Sequence, residues 1–108
     1  MKNQIADIIA TVSLFSTDAG GRRGPTPDGK FNCLMVIDEK NFDVRLHLES
    51  TGAVWPGQTA KVPISFLDRE HAKKYCSVGR TFILREVSPI GNGVIDEVAF
   101  LGEVGAVR

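Results

Sequence analysis

Cysteine and aromatic rings are scarce in this chain, and an excess of charge is missing altogether. There are two cysteines, one tryptophan and one tyrosine, and aromatics make up 7% of the residues. Cys33 and Cys76 have no close spacing, so no disulfide-stapled scaffold is expected. Both read as free thiols of a reducing cytosol, Cys33 in an apolar run and Cys76 in a polar loop. Lys plus Arg number 13 and Asp plus Glu number 13, giving a formal net charge of zero. A chain so balanced has no global positive field to gather nucleic acid, and any RNA contact must come from a local patch. No apolar run reaches the ~18 residues of a membrane helix. The opening Ile5-Ala6-Asp7-Ile8-Ile9-Ala10 is interrupted by an acid, and no small-residue cleavage site follows a long apolar core. No signal peptide is expected, and the location implied is cytoplasmic.

Several chemistries are missing as well. The two histidines and two cysteines lack metal-ligand spacing, so no zinc site and no cofactor are expected. Cys33 and His47 form no nucleophilic dyad, because nothing orients a third group. No pair of carboxylates sits in a context that suits acid–base work. No Gly-x-x-x-x-Gly-Lys-Ser/Thr loop occurs, which excludes nucleotide hydrolysis by this sequence. An enzyme is not the expected class.

What is present is an ordinary globular composition, 43% hydrophobic and 24% charged over 108 residues. That is one domain's worth, spanning 1–108, able to build a core without staples. The dominant signal is period two. Ile8, Ala10, Val12 and Leu14 share one face of a strand, with Asp7, Ile9, Thr11 and Ser13 on the other. Phe31 to Ile37 reads as a central strand, followed by a turn at Asp38-Glu39-Lys40-Asn41. Val44, Leu46 and Leu48 then face the core, and Asp43, Arg45 and His47 face water. Ala60, Val62, Ile64 and Phe66 make another inward stripe, and Pro63 implies an edge position or a bulge. Asp68 caps a single helical turn running toward Tyr75. Phe82 and Leu84 point inward from a further strand that Ser88-Pro89 breaks. Gly91-Asn92-Gly93 reads as a turn before a last strand from Val94 to Leu101, and Gly102 to Arg108 read as a frayed tail. The sum is an all-β chain of about six strands, spaced as in a barrel or sandwich.

The loop from Ser16 to Lys30 is long for a compact domain, and such loops often bind. Two adjacent guanidiniums, Arg22 and Arg23, project from it. They suit phosphates or a partner's carboxylates; equally, one of them can pair with an acid of a neighbouring strand. Arg85 and Glu86 point to opposite faces of their strand, and either can brace the barrel through an internal ion pair. Trp55 is read as a plug for one barrel end, with an exposed binding anchor as the other possibility. His47, His71 and the Lys73-Lys74-Arg80 cluster read as solvated surface.

Five ordered pieces carry a resemblance to a known family. Gly20-Gly21-Arg22-Arg23 follows the first strand. Val54-Trp55-Pro56-Gly57-Gln58 comes next, then Phe82-Ile83-Leu84-Arg85-Glu86 and Ile90-Gly91-Asn92-Gly93-Val94-Ile95. With the opening strand Ile8 to Leu14, they resemble the C-terminal third domain of elongation factor Tu, from about Asp7 to about Val98, without the GTPase that precedes it in that family. The resemblance implies a catalytically inert, six-stranded antiparallel, Greek-key-like β-barrel that grips tRNA and touches protein partners. Carried over by position, Arg22, Arg23 and Glu86 are the RNA-facing candidates, and Lys30 and Arg85 are the neighbouring basic residues of the same RNA- or partner-binding set. Two departures stand out. Lys30-Phe31-Asn32-Cys33-Leu34 lacks the arginine and glutamine of the family's run, and Val87-Ser88-Pro89 replaces its Gly-Gly-Arg. Two readings follow. One is a binding module for tRNA-like RNA or the translation machinery. The other is a protein-binding inhibitor or immunity protein that neutralises a toxin through a translation-factor-like surface.

Overall fold

Alternating apolar residues on six segments leave each strand with one face that must be hidden, and a sheet that closes on itself hides them all. The computed structural model describes residues 6–100. Its strands are β1 (Ile8–Leu14), β2 (Lys30–Ile37), β3 (Lys40–His47), β4 (Thr59–Phe66), β5 (Thr81–Arg85) and β6 (Pro89–Val98), with one short helix, α1 (Arg69–Lys73). They form a closed antiparallel barrel in the order β1-β4-β3-β2-β5-β6. β2, β3 and β4 succeed one another, while β1 lies beside β4 and the long loop after Leu14 carries the chain past β4 and β3 to β2. That is the Greek-key relation implied by the resemblance. The interior is filled by the expected stripes, with Ile8, Ala10, Val12, Met35, Val62, Ile64 and Leu84 fully buried.

The β2–β3 hairpin turns on Asp38 and Glu39, both at positive φ (53° and 66°), a two-residue turn whose twist matches that of the strands. The β3–β4 ladder ends at Leu46↔Ile64. Pro63 therefore pairs only toward Ile9 of β1, and its missing N–H costs no rung on the β3 side. The edge-like position expected for it is met locally. Asp68 caps α1, its carboxylate accepting from the His71 backbone N–H at 3.2 Å. Ala72 buries itself beneath the helix. Phe42, Phe66, Tyr75 and Phe100 gather at this end of the barrel, Phe42 lying 5.9 Å from Phe66 and 5.4 Å from Tyr75 between ring centres.

Four expectations are corrected. Gly91-Asn92-Gly93 is no turn; it lies within β6, and the chain reverses earlier, at Glu86–Ser88. These glycines answer crowding. A Cβ on Gly93 would overlap the Phe82 ring and stand 2.7 Å from the Thr11 carbonyl oxygen. Asp7 does not face water; it precedes β1, and the bend there turns its carboxylate inward, where it is fully buried. His47 is buried too, because β4 carries Ser65 alongside it and the two side chains share a hydrogen bond of 2.8 Å. Trp55 plugs nothing: it is 55% exposed, and its neighbour Val54 turns into the core in its place. The tail read from Gly102 to Arg108 lies outside the described residues.

Candidate docking surface

The long loop is held down by its own first arginine. After a 3-10 turn at Thr17–Ala19, the Arg22 side chain engages through all three nitrogens. Nη1 donates to both carboxylate oxygens of Glu86 at 2.8 and 2.7 Å. Nε donates to the Gly24 carbonyl at 3.2 Å and Nη2 to that of Pro25 at 3.0 Å. The guanidinium also lies over the Phe31 ring, 5.1 Å from its centre. A planar fork used this fully binds the loop to the strand end, and its charge is cancelled locally by Glu86. Of the two readings open for these arginines, the pairing with a neighbouring strand's acid describes Arg22.

Arg23 is different. It is exposed, and no partner for it occurs among the described residues. The other members of the predicted set are scattered around it. Lys30, at the start of β2, is ion-paired with Glu49 at 3.0 Å. That hydrogen bond holds the Glu49 carboxyl below its ordinary value. Arg85 donates Nη2 to the Val87 carbonyl at 3.0 Å. It lines a groove of about 780 Å³ on the barrel wall together with Asn32, Leu34, Asp43 and Leu67. The structure thus joins Arg22 to Glu86 and leaves Arg23, Lys30 and Arg85 as separate charges, not one basic patch.

The loop end gains a residue from elsewhere in the sequence. Thr26 and Val54 clasp each other: the Thr26 N–H donates to the Val54 carbonyl at 2.9 Å, and the Val54 N–H donates to Thr26 Oγ1 at 2.9 Å. The turn beyond is braced by the Trp55 N–H donating to Gln58 Oε1 at 2.9 Å and by the Gly57 N–H donating to the Leu14 carbonyl at 3.0 Å. Trp55 is therefore presented on a fixed backbone. Arg23 lies three residues from Thr26, within roughly 11 Å along even an extended chain. A rigidly mounted, exposed tryptophan is a residue type that interface hot spots favour. Sequence alone offered both roles for Trp55; the Gln58 bond that fixes its turn was visible only as a Gln three residues on.

The thiols are quiet. Burial, with the Glu86 charge behind it and Arg22 opposing, pushes Cys33 up to about 12, and burial pushes Cys76 up to about 11. Both are protonated near neutral pH and poor nucleophiles. Cys76, expected in a polar loop, packs partly against the core. Among the described residues no three His, Cys, Asp or Glu side chains gather as a metal site would require. Among the same residues, no helix is long and apolar enough to cross a membrane. No family model matches the chain, and no curated protein matches it.

Proposed function

We propose that this chain is a non-enzymatic binding module whose partner is a protein, acting in the cytoplasm as an inhibitor or immunity protein with a translation-factor-like surface. The observation that carries this reading is Trp55, more than half exposed on a turn fixed by Gln58 and Thr26. A large apolar ring left in water is costly for a monomer and valuable to a partner that covers it. Arg23, exposed on the loop that Thr26 joins to the Trp55 turn, supplies a charge that a partner carboxylate can meet. The ordered motifs shared with the third domain of elongation factor Tu support a barrel that imitates a surface recognised by other proteins. RNA is favoured less. Glu86 cancels Arg22, Glu49 pairs Lys30, and the net charge is zero, so few phosphates would be neutralised.

The single tryptophan makes the test direct. On titration with the partner captured from lysate, Trp55 emission shifts to shorter wavelength, and Trp55→Ala or Arg23→Ala lowers capture at least tenfold while leaving the fold intact. Fluorescence anisotropy with tRNA at low salt should show no binding. Tight, steeply salt-dependent tRNA binding that Trp55→Ala abolishes would assign the surface to RNA, since an exposed ring also stacks on bases.

A further inference from the structure

We propose that the groove on the barrel wall is closed by a second copy of this chain, giving a two-fold symmetric homodimer. The face is distinct from the Trp55 end and the inference does not rest on it. Four adjacent strands build it, in the order β5, β2, β3, β4. Register places one row of outward side chains across them. Leu34 of β2 stands opposite Arg85 of β5 on one side and Asp43 of β3 on the other. Leu67, whose N–H donates to the Asp43 carbonyl at 3.0 Å, extends the row beyond Asp43. Val87, two residues beyond Arg85 in the bend that leaves β5, lines the end of the groove. Leu67 is 81% exposed and Val87 94%.

Read across the sheet from β5, the row runs basic, apolar, acidic, apolar: Arg85, Leu34, Asp43, Leu67. About Leu34, the reversal of Arg85-Leu34-Asp43 is the same pattern with the charges exchanged. A two-fold axis parallel to β2 and passing over Leu34 therefore sets Arg85 against Asp43 of the other copy, and Asp43 against Arg85. The same rotation turns the exposed Leu67 at each rim toward the β5 side of the other copy. An isologous contact must be complementary to itself, and this row is. An unrelated partner has no need of such a pattern. Of the remaining charges of the groove, Glu86 is neutralised by Arg22, and Arg45 donates to Asn32 Oδ1 at 3.0 Å. Facing ion pairs two strands apart, about 10 Å from each other, also fix the register of the two copies.

Sedimentation velocity on the full chain tests this. The mass should rise from 11.7 kDa toward twice that value between micromolar and millimolar concentration, and added salt should lower the dimer fraction. Asp43→Arg and Arg85→Asp are surface changes. Each alone should weaken the dimer at least tenfold by placing like charges face to face. An equimolar mixture of the two variants should dimerise again, and the double variant should dimerise by itself. Leu67→Ser should weaken the dimer with no loss of circular-dichroism signal. A chain that stays monomeric to millimolar concentration overturns the proposal. So does a dimer indifferent to both reversals, or one that mixing fails to restore.

Discussion

A buried imidazole that shares a ring nitrogen with a hydroxyl is more stable neutral than charged. His47 is in that position: burial holds its pKa below the ordinary 6.5, against the opposing pull of Glu49. The consequence for stability has a definite sign. Above pH 6.5 the group is neutral in both folded and unfolded chains and contributes no pH dependence. As the pH falls below 6.5, the unfolded chain takes up the proton first, so stability drops until the folded pKa is passed. Urea midpoints should therefore fall between pH 7.5 and 5.5, and His47→Gln should flatten that fall. Glu49 does not confuse the window. Its lowered value adds stability that is lost only as the pH drops below its ordinary 4.5. A His47→Gln chain with an unchanged pH profile would show that the imidazole titrates freely. Alternation along β3 put His47 on the wet face; what alternation omits is that the adjacent strand sets Ser65 against the ring there.

At the scale of the element, β1, β3, β4 and β5 were legible because each has an alternating inward stripe, and β2 because Phe31 to Ile37 is a short apolar run. β6 was misread because its glycines looked like turn chemistry. In fact Gly91 and Gly93 lie where neighbours leave no room for a side chain: a Cβ at Gly91 would stand 2.6 Å from the Ser13 carbonyl oxygen, and one at Gly93 would meet both Thr11 and Phe82. Such a requirement is set by the neighbouring strand and leaves no trace in local sequence. A contrast between two glycines separates the causes. Gly57 sits at φ +87° with open space around it, so Gly57→Ala should cost about 1–2 kcal/mol of backbone strain. Gly93→Ala adds no such strain but forces two strands apart, and should cost roughly 3 kcal/mol or more, as overpacking does. Chemical denaturation of the two variants decides it: equal losses would mean that β6 can shift outward freely.

For the whole molecule, closure of the barrel meets at Asp7. Its N–H donates to the Ile64 carbonyl at 2.9 Å, and its own carbonyl accepts from Ala99 and Phe100 at 2.7 and 3.0 Å. Its buried carboxylate accepts from the Phe66 N–H at 2.8 Å and from Arg69 Nε at 2.8 Å. One residue thus ties the start of β1 to the end of β4, to α1 and to the chain leaving β6. The aromatic cluster packs at the same end, Arg69 itself lying 5.8 Å from the Phe100 ring centre. The sequence showed Asp7 only as an acid interrupting an apolar run, since its partners lie some sixty and ninety positions away. Removing the Asp7 carboxylate leaves the buried Phe66 N–H without its acceptor, at about 1–3 kcal/mol, and takes an ion pair from the partly exposed Arg69. That is a large share of the roughly 5–15 kcal/mol that holds a domain together. Asp7→Ala should therefore lower the urea midpoint sharply, and the amides of Phe66, Ala99 and Phe100 should lose hydrogen-exchange protection ahead of those of β2. Asp7→Asn keeps the shape and an acceptor for the Phe66 N–H while giving up the charge opposite Arg69, and should fall between the two. If Asp7→Ala stayed within about 1 kcal/mol of the parent chain, the ladders between strands would suffice to close the barrel, and this junction would be incidental to it.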